Sequence, residues 1–132
     1  MTLPSSTTPA PRKVLIADDN VDAAESLATL LELDGHEVRI AHDGLQALAV
    51  AEAFRPDVAL LDIGMPALDG HGVARRLRQE PWGTAIHLVA LSGRGQEDDK
   101  RRALEAGFDR HVTKPLDIDL IDTLLGAGDV SP

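Results

Sequence analysis

Five side chains in this sequence have types and positions that could do chemistry together. Asp18 and Asp19 follow the apolar run Val14-Leu15-Ile16-Ala17, and Asp62 closes the run Val58-Ala59-Leu60-Leu61. Ser92 follows Leu91, and Lys114 stands before Pro115. Carboxylates brought close together repel one another and cannot all stay ionised at low cost. A hard divalent cation resolves that conflict, and Mg²⁺ suits one or two direct carboxylates plus waters and a phosphate oxygen. A carboxylate can also attack phosphorus and form an acyl phosphate. Phosphoryl transfer depends on in-line positioning and positive charge around the equatorial oxygens more than on proton shuttling. Mg²⁺, the Lys114 ammonium, the Ser92 hydroxyl and a backbone N–H would supply those contacts.

Each residue has a plainer reading. Asp18 and Asp19 also suit the start of a helix as caps, Ser92-Gly93 is common loop chemistry, and a lysine beside proline is ordinary on a surface. An aspartate ending a buried apolar strand is less ordinary. What favours chemistry is the joint occurrence at the ends of the first, third, fourth and fifth predicted strands.

Those strands follow from two alternating periods. Val14–Ala17 is a short apolar run suited to a strand buried on both faces. With Asn20 as N-cap, Ala24, Leu27, Leu30 and Leu31 recur at helical spacing until Gly35. Glu37–Ala41 alternates like an edge strand, with Val38 and Ile40 on one side. Asp43 caps a second helix carrying Ala47, Val50, Ala51 and Phe54, which Pro56 closes. After Val58–Leu61, a loop with Gly64, Pro66 and Gly70 leads to a basic helix around Val73 to Arg78. Ile86–Leu91 gives a fourth strand, Gln96–Ala106 a fourth helix stopped by Gly107, and Arg110–Thr113 a fifth strand. Asp117 caps a last helix with Ile118, Ile121, Leu124 and Leu125.

Strict strand–helix alternation predicts an α/β fold, a doubly wound five-stranded parallel sheet. In order 2-1-3-4-5, flavodoxin-like, the first and third strands adjoin at the switch point, where such sheets bind ligands. Residues 1–12, with Pro4, Ser5, Ser6, Thr7, Thr8, Pro9 and Pro11, read as a flexible tail or linker. The domain is expected over 13–126, with a second tail over 127–132.

Composition limits the alternatives. The 132 residues suit one domain, and 43% hydrophobic content supports a packed core. Aromatics are 2%, so that core must rest on Leu, Val, Ile and Ala. A net charge of −9 disfavours direct binding of nucleic acid or an anionic membrane. With no cysteine, thiol catalysis and thiolate metal sites are excluded. No signal peptide is evident, and no apolar stretch approaches the roughly 18 residues that span a bilayer. A cytoplasmic protein is expected.

Asp18-Asp19-Asn20, the stretch Leu60-Leu61-Asp62-Ile63-Gly64-Met65-Pro66 with Asp69-Gly70, Leu91-Ser92-Gly93 and Thr113-Lys114-Pro115 together resemble the response-regulator receiver family of two-component signalling. The likeness extends from Lys13 to Leu125, and its Asp-Ile-Gly-Met-Pro wording is similar to receivers attached to hybrid sensor kinases. The resemblance implies that Asp62 is the phosphoacceptor. It implies that Asp19 ligates Mg²⁺ directly, Asp18 directly or through water, and the Gly64 main-chain carbonyl completes the protein's share. Ser92 would bond the phosphoryl group and Lys114 would pair with it. The donor would be a phosphohistidine on a histidine kinase or histidine phosphotransfer protein, or a small acyl or amido phosphate.

Two positions depart from the commonest pattern of that family. Ser92 stands where threonine is more frequent, and His111 where Tyr or Phe often acts as a rotameric switch; His111 is either a switch or a structural histidine. Output is expected through contact with a downstream protein, since Arg75, Arg76, Arg78, Arg101 and Arg102 are too few for a DNA-binding surface. A phosphatase with an aspartyl-phosphate intermediate would have a second carboxylate at 64, where glycine stands. A flavin or nucleotide module would be repelled by Asp18-Asp19. The expectation is therefore a signalling domain, not an enzyme.

Overall fold

The computed structural model describes residues 11–93 and 97–114. The two expected tails, apart from Pro11 and Arg12, and the helix expected after Asp117 lie outside the described residues. The elements run β1 (Lys13–Ala17), α1 (Val21–Leu33), β2 (Glu37–Ala41), α2 (Gly44–Phe54), β3 (Val58–Asp62) and α3 (Gly70–Gln79). They continue with a 3₁₀ turn (Pro81–Gly83), β4 (His87–Ser92), α4 (Glu97–Ala106) and β5 (Arg110–Thr113). The five strands form one parallel sheet in the order β2-β1-β3-β4-β5, as the alternation predicted.

Side chains on a strand point alternately to opposite faces, and here both faces are covered. Leu15, Ala17, Ala59, Leu61, Leu88 and Ala90 pack with Ala47, Ala51, Val73, Ala74, Leu77 and Ala103 of α2, α3 and α4. On the other face Val14, Ile16, Val58, Leu60, Val89 and Leu91 meet Ala24, Ala28 and Leu31 of α1. This two-sided burial is why the strands read as continuous apolar runs rather than as alternation. Burying each Leu or Val contributes about 1.5–3 kcal/mol.

The caps act as the sequence indicated. Asn20 accepts from the Ala23 N–H, Asp43 from Gln46, and Gly35 leaves α1 in the left-handed region at φ 95°. Arg55 ends α2 in the left-handed region at φ 53°, where Pro56 disfavours continuation of the right-handed helix.

Two expectations need correction. α3 starts at Gly70, not near Val73, because the Asp69 side chain accepts from the Gly72 N–H and caps the helix before its apolar face begins. Leu30 is 43% exposed, and Ala28 takes the place expected for it against the sheet. The 3₁₀ turn at Pro81 carries no side-chain cap.

Candidate functional site

Register decides which side chains can meet. Ala17 pairs with Leu61 in the parallel β1·β3 ladder, so the next residues, Asp18 and Asp62, leave the sheet side by side. Asp62 is opposite Leu91 on β4, and Ser92 is opposite Thr113 on β5, one residue before Lys114. All four strands deliver these residues to one edge of the sheet because all run the same way.

The geometry brings the charged residues together. One carboxylate oxygen each from Asp18, Asp19 and Asp62 lies within 4.8 Å of the others. Lys114 Nζ is 3.1 Å from Asp18 Oδ2 and 3.4 Å from Asp62 Oδ2. Asp18 is buried, and its other oxygen accepts from the Asn20 N–H at 2.9 Å. Asp62 Oδ1 accepts from the Gly64 N–H at 3.2 Å. Asp19 is exposed at the rim, and Ser92 is half-buried on the β4 end. The Lys114 N–H donates to the Ser92 carbonyl at 2.7 Å, which fixes the lysine backbone beside the serine.

Electrostatics point the same way. Burial pushes the Asp62 carboxyl above its ordinary 3.8; the Gly64 N–H and the Lys114 charge pull it down, and the Asp18 charge adds to the rise. Burial alone would lower Lys114, but its hydrogen bond to Asp18 and the charges of Asp62 and Asp18 hold it above 10.5. One ammonium thus faces three carboxylates, and negative charge remains in excess. An all-oxygen donor set at this spacing, left with an excess of negative charge, fits a small hard divalent cation.

The loop after β3 needs its glycine. A Cβ on Gly70 would stand 2.8 Å from the Asp62 carbonyl oxygen and 2.9 Å from Ile63 Cα. That approach lets the Gly70 N–H donate to the Ile63 carbonyl at 3.0 Å and holds the turn beside Asp62.

The predicted site residues Asp18, Asp19, Asp62, Gly64, Ser92 and Lys114 all come to this edge. His111 lies further back on β5, opposite Ala90, with both ring nitrogens buried and without a hydrogen-bond partner among the described residues. Sequence reasoning missed His42, whose Nδ1 is 3.2 Å from the Asp18 carbonyl oxygen. The available signal was its position just past the second strand, next to the first strand's end.

A family model described as the response regulator receiver domain matches residues 14–125. The "DNA-binding dual master transcriptional regulator RpaA" of Synechocystis is 34% identical over 107 residues, which are 81% of this chain and 44% of that protein. The chain therefore spans less than half the length of that relative. Among solved structures, the receiver domain of sensor histidine kinase PA1611 from Pseudomonas aeruginosa PAO1 superimposes with a TM-score of 0.80 at 28% identity, covering 88% of this chain and 95% of that one. That structure has a magnesium ion coordinated in its active site cleft. The chemotaxis protein CheY4 of Vibrio cholerae gives a TM-score of 0.82 at 28% identity, covering 87% of this chain and 97% of its own.

Proposed function

The chain belongs to the response regulator receiver family of two-component signalling, and from that premise we propose that Asp62 is its phosphoacceptor, with Mg²⁺ bound beside it. The observation that carries this reading is the convergence of Asp18, Asp19 and Asp62 within 4.8 Å, with Lys114 in reach of two of them. Asp19 would ligate the ion directly, Asp18 directly or through water, Asp62 through one oxygen, and Gly64 through its main-chain carbonyl. Bound there, Mg²⁺ would offset the carboxylate charge and withdraw electron density from the phosphoryl oxygens.

The chain's own groups do the rest. A carboxylate oxygen of Asp62 attacks phosphorus in line, an O–P bond forms, and the P–N bond of a phosphohistidine breaks, its electron pair staying on the imidazole. Lys114, now shared between two carboxylates, is positioned to pair with the incoming phosphoryl oxygens. Ser92 would donate its hydroxyl to another. The domain promotes only its own phosphorylation and dephosphorylation.

The donor is a histidine kinase or histidine phosphotransfer protein, and the output is contact with a downstream protein. RpaA is described as DNA-binding; this chain, at net charge −9, is proposed not to touch nucleic acid directly. No described helix is long and apolar enough to cross a membrane, and a cytoplasmic location is proposed, with the working unit at 13–126 and tails at 1–12 and 127–132. His111 is the proposed switch: ring nitrogens buried without a partner among the described residues cost free energy that rotation toward water would recover.

Intact-mass measurement after incubation with acetyl phosphate tests the reading. We expect a gain of one phosphoryl group that needs Mg²⁺ and is absent in Asp62→Asn; a gain that persists in that variant contradicts it.

A further inference from the structure

Asp18 is held by its backbone as well as its side chain. Its N–H donates to the Ala41 carbonyl at 3.0 Å, and its own carbonyl oxygen lies 3.2 Å from His42 Nδ1. A carbonyl can only accept, so Nδ1 must carry the proton at this contact. His42 is itself fixed: its N–H donates to Gln46 Oε1 at 3.0 Å, and the Gln46 N–H donates to Asp43 Oδ1 at 2.8 Å. The N-terminus of α2 thus fixes His42, and His42 holds the Asp18 carbonyl.

The consequence falls on the next residue. The Asp18 carbonyl and the Asp19 N–H belong to one planar peptide unit. Fixing the oxygen fixes that plane, and with it the direction in which the Asp19 carboxylate leaves the chain. Asp19 is exposed, and among the described residues its carboxylate has no hydrogen-bond or ion-pair partner. Only its backbone aims it.

We propose that His42 is a positioning residue of the metal site, whose Nδ1–H pins the Asp18–Asp19 peptide and presets Asp19 for Mg²⁺. The inference rests on the reading of Asp18, Asp19 and Asp62 as a magnesium site. Outer partners that orient metal ligands commonly carry a measurable share of metal affinity.

Mg²⁺ titration of the whole chain, followed by backbone amide NMR, tests it with His42→Leu, His42→Asn and Asp19→Asn. Asparagine Nδ2 hangs from Cγ as the imidazole Nδ1 does, whereas leucine fills similar space without a donor. We expect His42→Leu to weaken Mg²⁺ binding about 3- to 10-fold and His42→Asn to stay within about twofold of wild type. Equal affinity in wild type and His42→Leu overturns the proposal, and so does an equal loss in the Leu and Asn variants. Asp19→Asn separates the two levels. If it binds Mg²⁺ as wild type does, the metal site itself is misassigned; if it alone is weakened, only the role of His42 falls. Should His42→Leu fail to fold by circular dichroism, His42→Ala takes its place against His42→Asn.

Discussion

Burial and the neighbouring Asp18 both oppose ionisation of Asp62, and only Lys114 and the Gly64 N–H favour its negative charge. Without a metal, that charge is a cost to the folded state. Asp62→Asn should therefore raise the melting temperature by a few degrees at neutral pH in the presence of a chelator. Mg²⁺ should narrow the gap, because it stabilises the wild type by mass action. Calorimetric scans of both proteins with and without the ion check this; a variant that melts lower in chelator contradicts the charge balance described here. Lys114 makes a second case. Its ammonium sits 3.1 Å from Asp18 and 3.4 Å from Asp62, so it competes with a cation for the same oxygens. Lys114→Met should bind Mg²⁺ more tightly, by roughly 10-fold, while its phosphorylation slows. Titration calorimetry reads the first effect and the rate of mass gain the second. The sequence suggested that Lys114 faces the acidic group, but not that its nearest oxygen belongs to Asp18. Strand order can be inferred from the alternation of periods, whereas a flexible side chain chooses among carboxylates only once distances exist.

At the scale of elements, much of the site was legible because strand ends are. The apolar runs Val14–Ala17 and Val58–Leu61 mark strands, and a parallel sheet must deliver Asp18 and Asp62 to the same edge. The start of α3 was less legible, since the cap at Asp69 is followed by Gly70, His71 and Gly72, none of which marks an apolar face. His42 was legible only through strand order: its position just past β2 matters because β2 lies beside β1, and nothing local to the residue signals that contact. β4 carries a prediction of its own. Burial of His87, at the start of β4, lowers its pKa below 6.5; Asp109 opposes the shift, while Arg110, Arg78 and Arg12 add to it. The folded state thus binds this proton less readily than the unfolded state. The associated stability is fully present above 6.5 and is lost as pH falls through the depressed folded value. Thermal melts of wild type and His87→Gln between about pH 7.5 and about pH 5.5 should show the wild type losing ground as pH falls. A constant difference would contradict this.

For the whole molecule, the sheet order β2-β1-β3-β4-β5 puts β1 and β3 together at the switch point, and every proposed site residue except His111 stands at that one edge. A chain of net charge −9 gathers three of its carboxylates there against a single lysine. The rest of the fold reads as the scaffold that makes this crowding possible, with a core on each face of the sheet. Such crowding becomes tolerable once the proposed Mg²⁺ binds there. The most direct measurement is chemical trapping of the acceptor. The chain is treated with acetyl phosphate and Mg²⁺, reduced with borohydride so that an aspartyl phosphate becomes homoserine, and mapped by peptide mass spectrometry. The account predicts homoserine at position 62 and at no other aspartate. Homoserine at Asp18 or Asp19, or aspartate retained at 62 in protein that has gained a phosphoryl group, would contradict it.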